Sequence, residues 1–255
     1  MLPEPRTAPE VSDDELLGGR LRLLQPRHGY RVAIDPVLLA AALPAANGRV
    51  LDAGTGTGAA ALCLAARVPD CCVVALERDP GHAALARASV RRNGLEERIE
   101  VVEGDLLALP AALRRATFDA VMTNPPFNAP CGNAPRSPGR AVAHVEEVAP
   151  ALWLDACLRR LRPRGLLALI HRADRLHEVL AALHGRAGAI TVLPLWPRAG
   201  VPARRVVVLA RKGARGPLTL AAGLVLHEPD GGFTRCAQAI LRHAAPLEPS
   251  REPPR

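Results

Sequence analysis

Three observations predict that this chain folds as an α/β protein around a doubly wound, mostly parallel sheet. Strand-like apolar runs alternate with helical runs from Arg49 to Ala210, a pattern that buries a sheet between two layers of helices. Leu51-Asp52-Ala53-Gly54-Thr55-Gly56-Thr57-Gly58 ends a strand in a glycine loop and opens a helix. Val121-Met122-Thr123-Asn124-Pro125-Pro126-Phe127 is a buried-strand run that stops at two prolines. Neither proline can donate to a ladder, and the first drives Asn124 out of the α region, so the chain leaves its sheet there.

In chain order, residues up to about Leu16 are rich in Pro and acids and are expected to be disordered. Arg20-Leu21-Arg22-Leu23-Leu24 alternates like a strand, and Arg27-His28-Gly29-Tyr30-Arg31-Val32 reads as a turn into a second extended piece. Asp35 stands at an N-cap position before Pro36, which suits the first helical site, and the helix runs to about Ala46 before Asn47-Gly48 closes it. Strand Arg49 to Ala53 enters the glycine loop, and Thr57 to Val68 is an Ala/Leu helix. Cys72 to Leu76 is a strand and Pro80 to Asn93 a helix ended by Asn93-Gly94. Ile99 to Val102 and Phe118 to Thr123 are strands, and a helix from about Glu147 to Leu161 is stopped by Arg162-Pro163-Arg164-Gly165. Strand Leu166 to His171, helix Asp174 to His184 and strands Ala189 to Leu195 and Arg205 to Ala210 complete the alternation. The last two strands are close enough to pair as a hairpin, which puts an antiparallel strand in the sheet. Asn128 to Gly139 is a Pro/Gly/Asn loop long enough to be a lid or to be disordered. The expected plan is a disordered 1–16, an extension of short strands and a helix over 17–48, one domain over 49–244, and a disordered Pro-rich tail over 245–255.

A hydrophobic content of 49% in 255 residues supplies one substantial core, and only six aromatics force that core to be aliphatic. Lys212 is the single lysine among many arginines, a bias of composition. The net charge of +8 fits a polyanionic partner such as RNA or DNA. Cys63, Cys71, Cys72, Cys131, Cys157 and Cys236 form no CxxC pair and have no His partner at zinc spacing, so no metal is expected. They read as reduced thiols of a cytoplasmic protein. No charged-then-apolar leader opens the chain, and its longest apolar runs fall short of a membrane span, so no membrane partner is expected.

The glycine loop allows a tight turn and close backbone approach to a ligand. Its GxGxG spacing with a preceding acid differs from the GxGxxG dinucleotide fingerprint and suits a ligand without a pyrophosphate. Asp52 can reach an ammonium group, directly or through water. Glu77, ending the next strand, stands where a carboxylate can bind both hydroxyls of a ribose. Asp105, in Glu103-Gly104-Asp105-Leu106 after the third strand, can accept from an adenine amino group, with Leu106 flanking the ring. A lone acid at a strand end is usually a cap or a solvated turn. Three in order around one glycine loop are not.

Over residues 49–211 these features resemble the class I S-adenosyl-L-methionine-dependent methyltransferases. The resemblance implies a Rossmann-like seven-stranded sheet whose last strand is antiparallel. It also implies that Gly54, Thr55, Gly56 and Gly58 meet the methionine end of the cofactor, Glu77 the ribose and Asp105 the adenine. In that class (Asn/Asp/Ser)-Pro-Pro-(Tyr/Phe) marks transfer to a nitrogen conjugated with a planar system, and here the motif is Asn124-Pro125-Pro126-Phe127. Such a nitrogen is a poor nucleophile because its lone pair is delocalised. Asn124 Oδ1 and the Pro125 carbonyl can accept its two N–H bonds and aim the lone pair, while Phe127 stacks on the ring.

Gln25 through Leu39, Gln-Pro-Arg-His-Gly-Tyr-Arg-Val-Ala-Ile-Asp-Pro-Val-Leu-Leu, resembles the segment before the glycine loop in the tRNA1(Val) adenine-37 N6-methyltransferase family. That likeness implies a tRNA adenine as target and puts Arg31 and Asp35 near the cofactor and the substrate entrance; the ordinary reading makes Asp35 a helix cap and Arg31 its ion pair. The chain departs from the family's Arg-x-x-x-His-Glu element at Arg140-Ala141-Val142-Ala143-His144-Val145-Glu146, where one residue separates His from Glu. RNA contacts are expected from Arg136, Arg140, Arg198, Arg204 and Arg205. A release-factor glutamine methyltransferase and a ribosomal guanine-N2 methyltransferase share the chemistry. The first usually carries a helical N-terminal domain, for which the residues before Arg49 are too few, and the second often a duplicated domain. A non-catalytic subunit that kept the fold would be free to lose the glycine loop or Asn124, and both are intact.

Overall fold

The computed structural model describes residues 11–28, 31–44, 48–125 and 149–248. The main sheet uses β3 (Gly48–Ala53), β4 (Cys71–Glu77), β5 (Ile99–Glu103), β6 (Phe118–Thr123), β7 (Leu161–Arg172), β8 (Ala187–Trp196) and β9 (Arg205–Lys212). Their order across the sheet is β8-β9-β7-β6-β3-β4-β5, with β9 antiparallel to both neighbours and every other pair parallel. This is the expected seven-stranded arrangement. Two further strands of two residues each, β10 (Thr219–Leu220) and β11 (Leu224–Val225), pair parallel with the outer edge of β8.

Both faces of the sheet are covered because alternate residues of each strand are apolar. Val50 of β3, Met122 of β6 and Val207 of β9 point into one core, with helices α1 (Asp35–Ala42) and α2 (Ala59–Arg67). Leu51, Val121 and Val208 point into the other, with α4 (Pro150–Arg160) and α5 (Leu176–Leu183). Nearly all of this packing is Ala, Leu and Val. Cys63, Cys71 and Cys157 are buried free thiols that serve as small apolar residues.

Three expectations are corrected. Residues 11–16 are a strand, β1 (Val11–Leu16), antiparallel to β2 (Leu21–Pro26) through the turn Leu17-Gly18-Gly19-Arg20. Leu17, Gly18 and Gly19 have φ of 51°, 67° and 88°, which two glycines make accessible. The acids that suggested disorder are paired: Asp13 with Arg22 (2.8 Å) and Arg92 (3.2 Å), Glu15 with Arg22 (2.8 Å), and Asp14 with Arg31 (2.6 Å). At the other end, residues 245–248 of the expected tail are docked, because the Leu247 N–H donates to the Ala41 carbonyl (2.9 Å) and its side chain is buried. Finally, Arg162-Pro163-Arg164-Gly165 does not separate a helix from a strand. It lies inside β7, as a bulge with Arg164 at φ 65° and a register shift against Phe118 and Ala120.

The extension is fixed to the domain by helix α3 (Pro80–Arg92), whose side chains stand in for a missing strand along β2. The Leu24 N–H donates to Ser89 Oγ (2.9 Å), the Arg22 N–H to Asn93 Oδ1 (2.8 Å), and Asn93 Nδ2 to the Arg22 carbonyl (2.7 Å). An otherwise open edge is satisfied in this way. Asn93→Ala leaves two backbone groups of β2 unpaired and should cost about 1–3 kcal/mol. Urea unfolding together with faster exchange of the hairpin amides would show it; an unchanged midpoint and unchanged exchange would remove Asn93 from this role.

Candidate active site

The site is built where β3, β4, β5 and β6 end on one edge of the sheet. Gly54, Gly56 and Gly58 have φ of 74°, 60° and 93°, so the chain can turn from β3 into α2 only with residues that tolerate the left-handed region. The end of β4 holds this turn. The Gly54 and Thr55 N–H groups both donate to the Leu76 carbonyl (2.9 and 3.0 Å), and the Gly56 N–H donates to Glu77 Oε2 (2.8 Å). Glu77 Oε1 accepts from the Asp79 N–H (2.9 Å), and each carboxylate oxygen keeps lone pairs for a further donor. A Cβ at Gly54 would meet the Trp153 indole at 3.2 Å and one at Gly58 would touch Ala86 at 3.4 Å, whereas nothing lies within 4 Å of one at Gly56. The loop is therefore closely packed behind and open in front.

Asp52 is buried beneath the loop and accepts from Thr55 Oγ1 (2.5 Å). Burial pushes its carboxyl up to about 7, against hydrogen bonds from Thr55 and the Ala61 backbone that favour the charged form, and with the like charge of Glu77 adding to the rise. The Gly104 N–H donates to the Glu77 carbonyl (2.8 Å), which brings Asp105 next to the end of β4. Asp105 Oδ1 accepts from the Leu107 N–H (2.9 Å), and Oδ2 lies 3.9 Å from the Arg78 guanidinium. Leu106 is buried in the core against this corner.

Asn124 follows directly on Thr123, the last residue of β6, and is half-buried; Pro125 is buried. Thr123 is held twice. Its hydroxyl donates to the Ala53 carbonyl (2.8 Å) and accepts from Trp153 Nε1 (3.0 Å). The residue before Asn124 is thus tied to the residue before Gly54. No motif in the sequence marks Thr123 or Trp153; a tryptophan inside an aliphatic helix is the one usable signal. Pro126 and Phe127, the loop over 128–139, Arg136, Arg140 and the 140–146 element lie outside the described residues.

Asp52, Gly54, Thr55, Gly56, Gly58 and Glu77 form one connected hydrogen-bonded and packed unit, with Asp105 and Asn124 on adjacent strand ends. Arg31 and Asp35 engage other groups. Arg31 donates to Asp14 (2.6 Å) and Ser12 Oγ (3.0 Å) in the hairpin. Asp35 is the first residue of α1 and does not cap it, and its carboxylate accepts from Arg205 Nε (2.9 Å). The ordinary reading of Asp35 as a helix cap paired with Arg31 is therefore replaced by two other pairs. No group of three potential metal ligands occurs among the described residues, and no helix among them is long and apolar enough to cross a membrane.

A seven-strand sheet with one antiparallel strand between β7 and β8, and a GxGxG loop clasped by the acid ending β4, define a class I methyltransferase. Its methyl donor is S-adenosyl-L-methionine. Residues 31–184 match the model of the methyltransferase small domain family, and the chain belongs to that family. It is similar to proteins named tRNA1(Val) (adenine(37)-N6)-methyltransferase from Aeromonas salmonicida, with 33% identity over 216 residues, and Aeromonas hydrophila, with 35% over 217. Each alignment covers 82% of this chain and 87% of the relative. A solved structure described as a predicted O-methyltransferase from Agrobacterium tumefaciens superposes with a TM-score of 0.70 at 29% identity, covering 84% of this chain and 98% of that one.

The loop fits such a donor on its own geometry. Gly56 faces open space, Glu77 has acceptor capacity left, and Thr57 Oγ1 is buried in the loop without a hydrogen-bond partner among the described residues. The raised Asp52 gives a pH test of the loop. A neutral buried carboxyl favours the folded state, so its contribution is full below the ordinary aspartate range and is lost as pH rises through about 7. Asp52→Asn stays neutral and should lose less stability than the wild-type chain between about pH 5 and about pH 8 in urea unfolding. Equal losses would show that Asp52 does not carry the shift.

Proposed function

We propose that this chain is a cytoplasmic RNA methyltransferase that transfers a methyl group to the exocyclic N6 of an adenine in tRNA, near the anticodon. The observation that carries the reading is Asn124 at the end of β6, with its strand tied through Thr123 to the carboxyl end of β3. The names of the Aeromonas relatives support the choice of tRNA adenine.

The donor supplies an electrophilic methyl on a sulfonium; the remaining work falls to the chain's own residues. Asp52, together with Gly54, Thr55, Gly56 and Gly58, would receive the amino-acid end, Glu77 the ribose hydroxyls, and Asp105 and Leu106 the adenine. Asn124 Oδ1 and the Pro125 carbonyl would accept the two N–H bonds of the target amino group. Held so, the nitrogen leaves conjugation and directs its lone pair outward. Phe127 would stack on the base and Pro126 stiffen the turn that presents both carbonyls. A general base is not required, because the methylated ammonium nitrogen is acidic enough to release its proton to water. The base must leave its stack to enter, which a loop permits more readily than a duplex.

Incubation with labelled S-adenosylmethionine and total tRNA, followed by nucleoside analysis, should yield N6-methyladenosine. Label in N2-methylguanosine, or in protein glutamine, would replace this reading with another substrate. Asn124→Ala should lose at least about a hundredfold in turnover, the scale of removing one preorganised acceptor, while donor affinity stays within a few-fold. Turnover close to wild type would exclude the mechanism. Glu77→Ala should weaken donor binding by about 1–3 kcal/mol, read by titration calorimetry, and unchanged affinity would remove it from the ribose site.

A further inference from the structure

The β8–β9 loop stands on the same sheet edge as Asn124, because β8 is antiparallel to β9 and β9 to β7. In the order β8-β9-β7-β6, three interstrand steps separate β8 from β6, a lateral distance of roughly 14 Å. A groove of about 660 Å³ opens there, lined by Trp196, Ala199, Gly200, Val201, Pro202 and Val225. Its walls are fixed. Trp196 Nε1 donates to the Ala222 carbonyl (3.0 Å), the Ala173 N–H to the Arg204 carbonyl (3.1 Å), and the His227 N–H to the Pro197 carbonyl (3.0 Å). Beside it, His227 stacks on Phe233 with ring centroids 4.7 Å apart.

The charges around it fall into two kinds. Arg172, Arg175 and Arg205, on the neighbouring strand ends, are each paired with an acid: Asp174, Glu178 and Asp35. Arg198 and Arg204, at the two ends of the loop, are exposed and have no acidic partner among the described residues. Arg205, expected to contact RNA, is therefore committed to Asp35, while Arg198 and Arg204 are available. Val201 is 37% exposed between them. Glu228 and Asp230 are exposed on the turn after His227 and lie outside the lining of the groove.

We infer that this groove is a docking site for single-stranded RNA beside the target nucleotide, with a base against Trp196 and Val201 and phosphates at Arg198 and Arg204. An apolar floor containing an aromatic, between two unpaired guanidiniums, is the chemistry that holds unstacked bases together with their backbone. The inference rests on the RNA reading above and adds where the strand runs: from Asn124 along the sheet edge, past β7 and β9, to the end of β8.

The test uses the full chain, a fluorescent tRNA and labelled S-adenosylmethionine. Arg198→Glu with Arg204→Glu should raise KM for tRNA by about tenfold or more and make the salt dependence of binding shallower by about one to two units. Melting temperature, donor affinity and kcat at saturating tRNA should stay unchanged. Trp196→Leu should raise KM for tRNA several-fold and Trp196→Phe should restore it; both lose the bond to Ala222, so the difference between them reads stacking alone. Methylation of tRNA by both proteins with equal KM and equal salt slope overturns the docking site and leaves the substrate reading intact. Absence of tRNA binding by the wild-type chain overturns both. A higher KM for tRNA with Val201→Asp but not with the arginine changes would overturn the placing of phosphates at Arg198 and Arg204.

Discussion

The last two residues of β4 hold the turn on which the rest of the molecule is arranged. One carbonyl, that of Leu76, accepts two consecutive N–H groups from the glycine loop, and the next side chain, Glu77, accepts a third. A backbone at positive φ in three alternate residues has no regular ladder of its own, so its donors must be met from outside. The parallel register of β3 with β4 brings those acceptors into place. Remove that register and neither the direction of α2 nor the buried position of Asp52 follows.

The same economy links the loop to the other half of the sheet. The ends of β3 and β6 are held at a fixed offset by their parallel ladder, from Val50 with Ala120 to Ala53 with Thr123, and a single hydroxyl extends that hold to α4. Thr123 joins Ala53 to Trp153, and Trp153 in turn packs behind Gly54. The indole fills the space that a side chain at Gly54 would need and satisfies its own N–H in doing so. Asn124 begins where this bracing ends.

Polar side chains do similar work at the margins. The N-terminal hairpin buries Leu17, Leu21 and Leu23 in the main core, and its polar groups are met by Ser89 and Asn93 along β2 and by arginine–acid pairs along β1. Exposed ion pairs of this kind are individually weak, so the side-chain hydrogen bonds to backbone carry more of the attachment. Across the active-site edge the arginines divide into those neutralised by a neighbour and those left open, and only the latter can meet phosphate without first giving up a partner.

The alternation of strand and helix, the GxGxG turn, the acids at successive strand ends and the exit at Asn124-Pro125 can all be read along the chain. Each is a local property: residue period, glycine at positive φ, and proline without a donor. The remaining features depend on contacts between distant parts of the chain. Acidic Val11–Leu16 becomes a strand because Arg22, Arg31 and Arg92 come from elsewhere in the chain to meet it. Arg-Pro-Arg-Gly becomes a bulge within β7 because β6 offers pairing on both sides of it. Asp35 leaves its cap for Arg205, which lies 170 residues away. Thr123 and Trp153 acquire their role only when two strands and a helix close on one point. Partners so distant in sequence leave no periodic trace, because their contact depends on the order of strands in the sheet and not on spacing along the chain.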